Sequence, residues 1–218
     1  MADRARLTGV LLVGGASTRF GSPKAVAPLD GRTLAEIVWE TLGETCDDRL
    51  AVGKHADGLA LPFELTDDEA DIRAPIAGVV AGLRAARYDV CVVLPVDCPR
   101  VTPDVLRALA AACADAQAAV PSRATPLPGA YRRSALPVLE RRLAAGALAL
   151  RDALAELDVR EVALDPSLLV NVNTRAELDA LQRPATGSSP CGATTRSRSA
   201  PVPTSETSTS SSRSTNST

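Results

Sequence analysis

The chain opens with a pattern in which short apolar runs alternate with amphipathic stretches. Leu7 to Val13 is rich in Val and Leu and stops at Gly14-Gly15, which predicts a buried strand leading into a loop. In "GRTLAEIVWETLGE", Leu34, Ile37, Val38 and Leu42 fall at helical spacing, so a helix is expected from about Thr33 to Glu44, with Trp39 packing. Arg49 to Gly53 reads as a second strand and Leu61 to Thr66 as a third. "APIAGVVAGLRAARYD" then gives a helix starting near Pro75, with proline in its first turn. Val90 to Asp97, "VCVVLPVD", is continuously apolar and β-branched, as expected of a central strand buried on both faces, and it ends in an acid. Thr102 is placed to cap the next helix, with Pro103 at its first position. The alternation continues through "RRSALPVLERRLAAG", "ALALRDALAEL", the strand-like "VREVAL" and a final helix "TRAELDALQ" with Thr174 as its cap. Alternating strands and helices imply an α/β fold around a mostly parallel sheet, and ligands of such sheets bind at the carboxyl ends of the strands.

From Pro184 the pattern stops. "PATGSSPCGATTRSRSAPVPTSETSTSSSRSTNST" is dominated by Ser, Thr and Pro and cannot bury enough apolar surface to offset its ordering entropy. Residues 1–183 are therefore expected to form one domain and 184–218 a disordered tail, in which Arg196, Arg198 and Arg213 read as solvated side chains. With only 2% aromatic residues, the core must be built from Ala, Val and Leu. The formal net charge of -2 argues against nucleic acid as the principal partner. Five scattered cysteines, Cys46, Cys91, Cys98, Cys113 and Cys191, contain no CxxC pair and give no closed disulfide framework, which suits a reducing cytosol. His55 is the single histidine and has no partner at metal-ligand spacing, so zinc and a serine–histidine nucleophile lack support. The basic, apolar start imitates a secretory signal, but its apolar core is short and runs into a loop carrying Arg19 and Lys24. No apolar run approaches the ~20 residues of a membrane span. A cytoplasmic protein without membrane or nucleic-acid partners is the expectation.

The candidate chemistry begins at "LLVGGASTRFGSPKA". Gly14 and Gly15 let the backbone approach a ligand and gather N–H groups into a concavity, while Ser17, Thr18, Arg19 and Lys24 add hydroxyl and cationic donors. That combination suits phosphate. The Walker pattern fails because Ser22-Pro23 separates Gly21 from Lys24 and alanine follows the lysine. GxGxxG fails because the two glycines are adjacent. Each element also has a purely structural reading: the glycines as a turn, Asp97-Cys98-Pro99 as the lead into a helix, and Asn171 and Asn173 as loop hydrogen-bonders.

The pattern "GGxSxRxGxxK" in "LVGGASTRFGSPKA" closely resembles the signature loop of the molybdenum cofactor guanylyltransferases, within the wider nucleotidyltransferase family. "FELTDDEADIRAPIAGVVAGLRAA" resembles that family's acid followed by a GPLAG-type helix start, with Asp67 at the acid and Ala74 to Gly78 replacing the motif. "VVLPVDCPRVTPDVL" resembles its strand ending in DxP, and "LVNVNTRAELDAL" its NxNTP ending. The resemblance spans residues 7 to 182 and implies a Rossmann-like three-layer sandwich of the nucleotide-diphospho-sugar transferase type, with a mostly parallel mixed sheet. It also implies Mg²⁺-dependent transfer of GMP from GTP to molybdopterin, with pyrophosphate released. Lys24, Arg19 and Asp97 would be catalytic and Asp97 the magnesium ligand. Leu12, Val13, Gly14, Gly15, Ser17, Lys24, Asp67 and Asp97 would bind nucleotide, and Asn171 and Asn173 would bind the acceptor. Molybdoenzymes or their chaperones are implied as partners.

The sequence departs from the pattern at Phe20, where methionine is usual, and at Pro23, which replaces an acid and is also found in cytidylyl-transferring relatives. "AVPSRATPLPGAYRR", between the fifth and sixth strands, is shorter than the family leads one to expect on the pterin side. Two alternatives stay open: a related nucleotidyltransferase using CTP or another phosphorylated acceptor, and a non-catalytic nucleotide-binding protein that delivers cofactor. Retention of both Lys24 and Asp97 speaks against the second. Cys98 beside the acid reads as a small buried neighbour.

Overall fold

The structure is a computed structural model that describes residues 5–14, 20 and 23–182. Gly15, Ser17 and Arg19, and the tail expected from 184 onward, lie outside the described residues. In chain order the elements are β1 (Leu7–Leu12), β2 (Pro28–Leu29), β3 (Arg32–Thr33), α1 (Leu34–Gly43), β4 (Asp48–Gly53), β5 (Leu65–Asp67), α2 (Pro75–Ala85), β6 (Val90–Pro95), α3 (Pro103–Ala112), β7 (Ala118–Val120), β8 (Gly129–Arg132), α4 (Leu136–Ala144), α5 (Leu150–Ala153), β9 (Val159–Glu161) and α6 (Arg175–Gln182). Short 3-10 turns intervene, one of them at Lys24–Val26.

One sheet runs in the order β5-β4-β1-β6-β8-β7-β9. The pairs β4–β5, β1–β4, β1–β6 and β7–β9 are parallel, and β8 is antiparallel to both of its neighbours. β1 is buried at all six positions and sends alternate side chains to opposite faces. Leu7 and Leu11 join Leu34, Val38 and Leu42 of α1 and Leu106 and Leu109 of α3 on one side, where Leu178 of α6 also packs. Val10 and Leu12 join Ile76, Val80 and Leu83 of α2 and Leu139 of α4 on the other. The result is the expected three-layer sandwich.

Local chemistry explains the helix starts. Thr33 Oγ1 accepts from Glu36 N at 3.2 Å while Glu36 Oε2 accepts from Thr33 N at 2.7 Å, a reciprocal capping box at α1. Thr102 Oγ1 caps α3 by accepting from Val105 N at 3.5 Å. α2 lies tight on β1 because its inner stripe is glycine: a Cβ on Gly82 would stand 2.6 Å from Val10 Cγ1, and one on Gly78 2.9 Å from Leu12 Cδ2. This close approach fixes the start of α2 beside the end of β1.

The third strand is later and shorter than the apolar pattern predicts. Pairing begins only at Leu65, because the preceding apolar residues serve another purpose. Phe63 stacks on Trp39 with ring centroids 4.2 Å apart, and the Arg49 guanidinium lies over the same indole at 4.5 Å. The β2–β3 hairpin, turning on Asp30 (φ 51) and Gly31 (φ 82), was not expected, although Asp-Gly is the residue pair such a turn favours. β6 ends at Pro95, which leaves Asp97 in the turn toward α3. Among the described residues, no helix is long and apolar enough to cross a membrane.

Candidate active site

The chain leaves β1 through α1 to β4 on one side and returns across α2 to β6 on the other, so its connections part at the carboxyl ends of β1 and β6. A crevice opens at such a switch point. Backbone pairing continues one step past the strands: Val13 N donates to Val52 O at 2.9 Å, and Val96 N donates to Leu12 O at 2.9 Å. Gly14 and Asp97 consequently follow the ends of two adjacent strands. Asp97 O accepts from Val172 N at 2.8 Å, which docks the 171–173 segment against the same rim.

Four predicted residues meet here. Lys24 projects from a 3-10 turn whose Ala25 is buried. Its Nζ donates to Asn173 Oδ1 at 3.0 Å and stands 3.5 Å from Asp97 Oδ2. The two charged side chains are only 17% and 23% exposed, so their charges are screened less than those of an ordinary surface pair. Asn173 is held in turn by Glu177, whose Oε2 accepts from Asn173 N at 2.5 Å and from Thr174 N at 3.1 Å. Thr174 Oγ1 accepts from Glu177 N at 3.2 Å, the cap expected for the last helix. Cys98 is buried and its thiol donates to Asn171 Oδ1 at 3.0 Å. Burial, and secondarily the Asp97 charge, push that thiol far above its ordinary pKa, which fits a packed neighbour and not a nucleophile.

A cavity of about 590 Å³ runs along the strand ends. Leu12, Pro95, Asp97 and Asn171 line its middle. Toward β4 and β5 the wall is Gly14, Gly53, Lys54, Asp68 and Arg73, with Pro75 and Gly78 of α2. Toward β8 it is Thr125, Pro126, Leu127, Leu148, Leu150 and Arg151. Val13 lies outside this lining, and its buried side chain packs over Gly53, where an added Cβ would stand 2.7 Å from its Cγ2.

Asp67 also lies outside the lining. Its carboxylate accepts from His55 N and Glu69 N, each at 2.8 Å, and these backbone donors hold its pKa below the usual carboxylate value. The next acid, Asp68, faces the cavity and pairs with Lys54 at 2.5 Å. Lys54, Asp68 and Arg73 join this wall in addition to the residues expected from the motifs. A signal for Lys54 was available, since it follows a glycine at the end of a predicted strand. His55 sits at the surface, with Nε2 2.7 Å from Leu65 O.

Among the described residues, no group of three or more His, Cys, Asp or Glu side chains is placed to cage a metal ion. The single carboxylate of Asp97 instead offers hard oxygen at the cavity wall, of the kind that shares a cation with substrate phosphates.

The chain is similar to known proteins over most of its length. Residues 9–162 match the MobA-like NTP transferase domain. A molybdenum cofactor guanylyltransferase of Desulfosudis oleivorans is 33% identical over 187 residues, covering 79% of this chain and 93% of that protein. A probable molybdenum cofactor guanylyltransferase of Mycobacterium avium is 33% identical over 196 residues, covering 83% and 98%. The crystal structure of molybdopterin-guanine dinucleotide biosynthesis protein A from Archaeoglobus fulgidus superposes with a TM-score of 0.69 at 29% identity, covering 80% of this chain and 96% of that one. The 2-C-methyl-D-erythritol 4-phosphate cytidylyltransferase of Thermus thermophilus shares the fold, with a TM-score of 0.63 at 18% identity over 79% of this chain and 96% of that one.

Proposed function

Because the chain belongs to the MobA-like NTP transferase family, whose members transfer nucleotidyl groups, we propose that it transfers GMP from GTP to the phosphate of molybdopterin, forming the guanine dinucleotide cofactor. The observation that carries this reading is the junction of Lys24, Asp97 and Asn173 at the ends of β1 and β6, where a triphosphate laid along the cavity would present its α-phosphorus.

The transfer needs no protein nucleophile. An oxygen of the acceptor phosphate attacks the α-phosphorus, and the bond from that phosphorus to the bridging oxygen of the β-phosphate breaks. Pyrophosphate leaves with the electron pair. Lys24 would stabilise the negative charge that grows on the departing group, and its hydrogen bond to Asn173 and its contact with Asp97 hold the ammonium beside the Asp97 carboxylate at the cavity wall. Arg19 would add a second cation from the glycine loop. Asp97 fits the Mg²⁺ that the family resemblance implies: its carboxylate faces the cavity, and among the described residues Oδ1 has only the 3.6 Å contact of the Cys98 thiol. Mg²⁺ bound there would neutralise charge on the triphosphate and on the leaving pyrophosphate. Asn171 lines the cavity near Asp97 and would meet the incoming acceptor phosphate.

A second reading, cytidylyl transfer, is favoured only by Pro23 before the lysine and by the fold shared with cytidylyltransferases. Incubation with Mg²⁺, molybdopterin and each NTP in turn separates the two. GTP should give the dinucleotide and one equivalent of pyrophosphate. Formation of the cytosine dinucleotide at equal or greater rate would refute the guanine assignment, and no product with any NTP would refute transfer to molybdopterin.

A further inference from the structure

We propose that Asp68, oriented by Lys54, reads the Watson–Crick edge of the base and is the residue that selects guanine; the inference rests on the guanylyl-transfer reading above. Along the rim of the sheet, Asp97 follows β6, Gly14 follows β1, Gly53 and Lys54 end β4, and Asp68 follows β5. Three strand spacings of ~4.8 Å separate the first of these strands from the last, a distance comparable to the length of a nucleoside monophosphate. A nucleotide whose α-phosphorus lies by Asp97 and Lys24 therefore carries its base to Asp68. The floor between them is bare backbone: a Cβ on Gly14 would meet nothing nearer than Gly53 Cα at 3.8 Å. Among the described residues nothing crowds a side chain at that position, whereas a planar purine lying on it would. The opposite end of the cavity is mostly apolar, with Pro126, Leu127, Leu148 and Leu150 beside Thr125 and Arg151, and among the described residues it has no carboxylate to accept from guanine N1–H.

The valences at Asp68 are specific. Oδ1 accepts from Lys54 Nζ at 2.5 Å and from Ala70 N at 3.1 Å, which uses both of its lone pairs. Oδ2 has no hydrogen bond among the described residues, although the side chain is only 10% exposed. Lys54 Nζ also donates to Ala70 O, which leaves its third proton. Arg73, the other cation on this wall, is committed to Asp57 through both of its terminal nitrogens. The wall thus presents one fixed acceptor beside one fixed donor. Guanine presents the complement: N1–H and the 2-amino group for Oδ2, and O6 for Lys54. Adenine and cytosine place a ring-nitrogen lone pair where guanine has N1–H, and that lone pair would face the carboxylate unpaired.

The orientation of Asp68 makes the proposal testable by a switch in preference. In Asp68→Asn the donors Lys54 Nζ and Ala70 N keep the amide oxygen on their side, so the NH₂ group turns into the cavity. It then repels the guanine 2-amino group and matches the carbonyl that xanthine carries at the same carbon. The experiment measures kcat/KM of the full chain with Mg²⁺ and molybdopterin for GTP, inosine triphosphate, xanthosine triphosphate and CTP, in the unaltered protein and in Asp68→Asn.

The unaltered protein should use inosine triphosphate, which lacks the 2-amino group, about 10-fold less well than GTP, and Asp68→Asn should raise the xanthosine-to-guanosine preference by about 100-fold or more. Equal use of inosine and guanosine triphosphates by the unaltered protein would overturn the proposal without any variant, as would a folded Asp68→Asn protein with an unchanged preference. An unaltered protein that does not use GTP at all would instead bring down the guanylyl-transfer reading, and the inference with it.

Discussion

Replacing Lys24 by alanine removes the one cation that the described structure places against both Asp97 and Asn173. A unit charge about 4 Å from a phosphate oxygen contributes about 4 kcal/mol at the effective dielectric typical of a partly buried site. The Lys24 side chain is 17% exposed and the cavity is open to solvent along one side, so about 3 kcal/mol of transition-state stabilisation is a reasonable share to lose. At 1.36 kcal/mol per decade, kcat/KM falls by more than 100-fold. The fold should lose far less. The Lys24–Asp97 contact is long, at 3.5 Å, and a pair of this kind contributes about 1 kcal/mol at most. The turn that carries Lys24 is anchored by buried Ala25 and Ala27 and by the hydrogen bond from Ala27 N to Lys24 O, none of which needs the side chain. Pyrophosphate release over a range of GTP concentrations, alongside thermal melts, separates the two effects. A kcat/KM within threefold of the unaltered protein, with the melt unchanged, would remove Lys24 from the mechanism.

Three further outcomes follow from the packing. Gly82→Ala drives a methyl into Val10, which is fully buried and has nowhere to move, and should cost about 1–3 kcal/mol in urea unfolding; an unchanged midpoint would refute the close seating of α2. Gly14→Ala meets no comparable obstacle among the described residues and should leave stability within about 0.5 kcal/mol while raising KM for GTP, so a loss of stability with normal KM would reverse that argument. Burial pushes the thiols of Cys91 and Cys113 up to about 12 from 9.0. Their contribution to stability is complete below pH 9.0 and lost as pH rises toward 12, with a slope of up to about 1.4 kcal/mol per pH unit for each thiol. Urea unfolding between pH 8 and pH 11 measures that slope, and Cys91→Ala should make it shallower; identical slopes would exclude the thiol as its source.

The elements most legible in the sequence are those whose surroundings are uniform. β1 and β6 are flanked by strands and covered on both faces, so every position is apolar or small, and short runs of that kind bounded by turn residues read as buried strands. α1 is legible because its cap is written in Thr33 and Glu36, three residues apart. β5 was displaced because local apolar content does not reveal what it packs against: Leu61 and Phe63 contribute to the cluster around Trp39 and leave only Leu65 to Asp67 for the ladder. The reversed direction of β8 has no signature in "GAYR", since it depends on the path of the chain after β7 and not on those four residues.

The same distinction governs the site. Lys24, Asp97 and Asn173 are far apart in sequence, and the motifs that flag them were sufficient to bring them together. Asp67 and Asp68 are chemically identical neighbours, and although the motif resemblance places Asp67 at the family's acid, it does not say which of the two side chains faces the cavity. Pairing does. Asp67 is the last residue of the ladder, opposite Gly53, and its carboxylate turns to the backbone N–H groups of His55 and Glu69. Successive side chains leave a strand on opposite faces, so the next residue must turn the other way. Asp68 N donates to Gly53 O at 3.1 Å, which carries the pairing one step further and brings the Asp68 side chain to the cavity beside Lys54. The family resemblance points to an acid in this segment, and a register set by three paired residues determines which of the two acids faces the cavity.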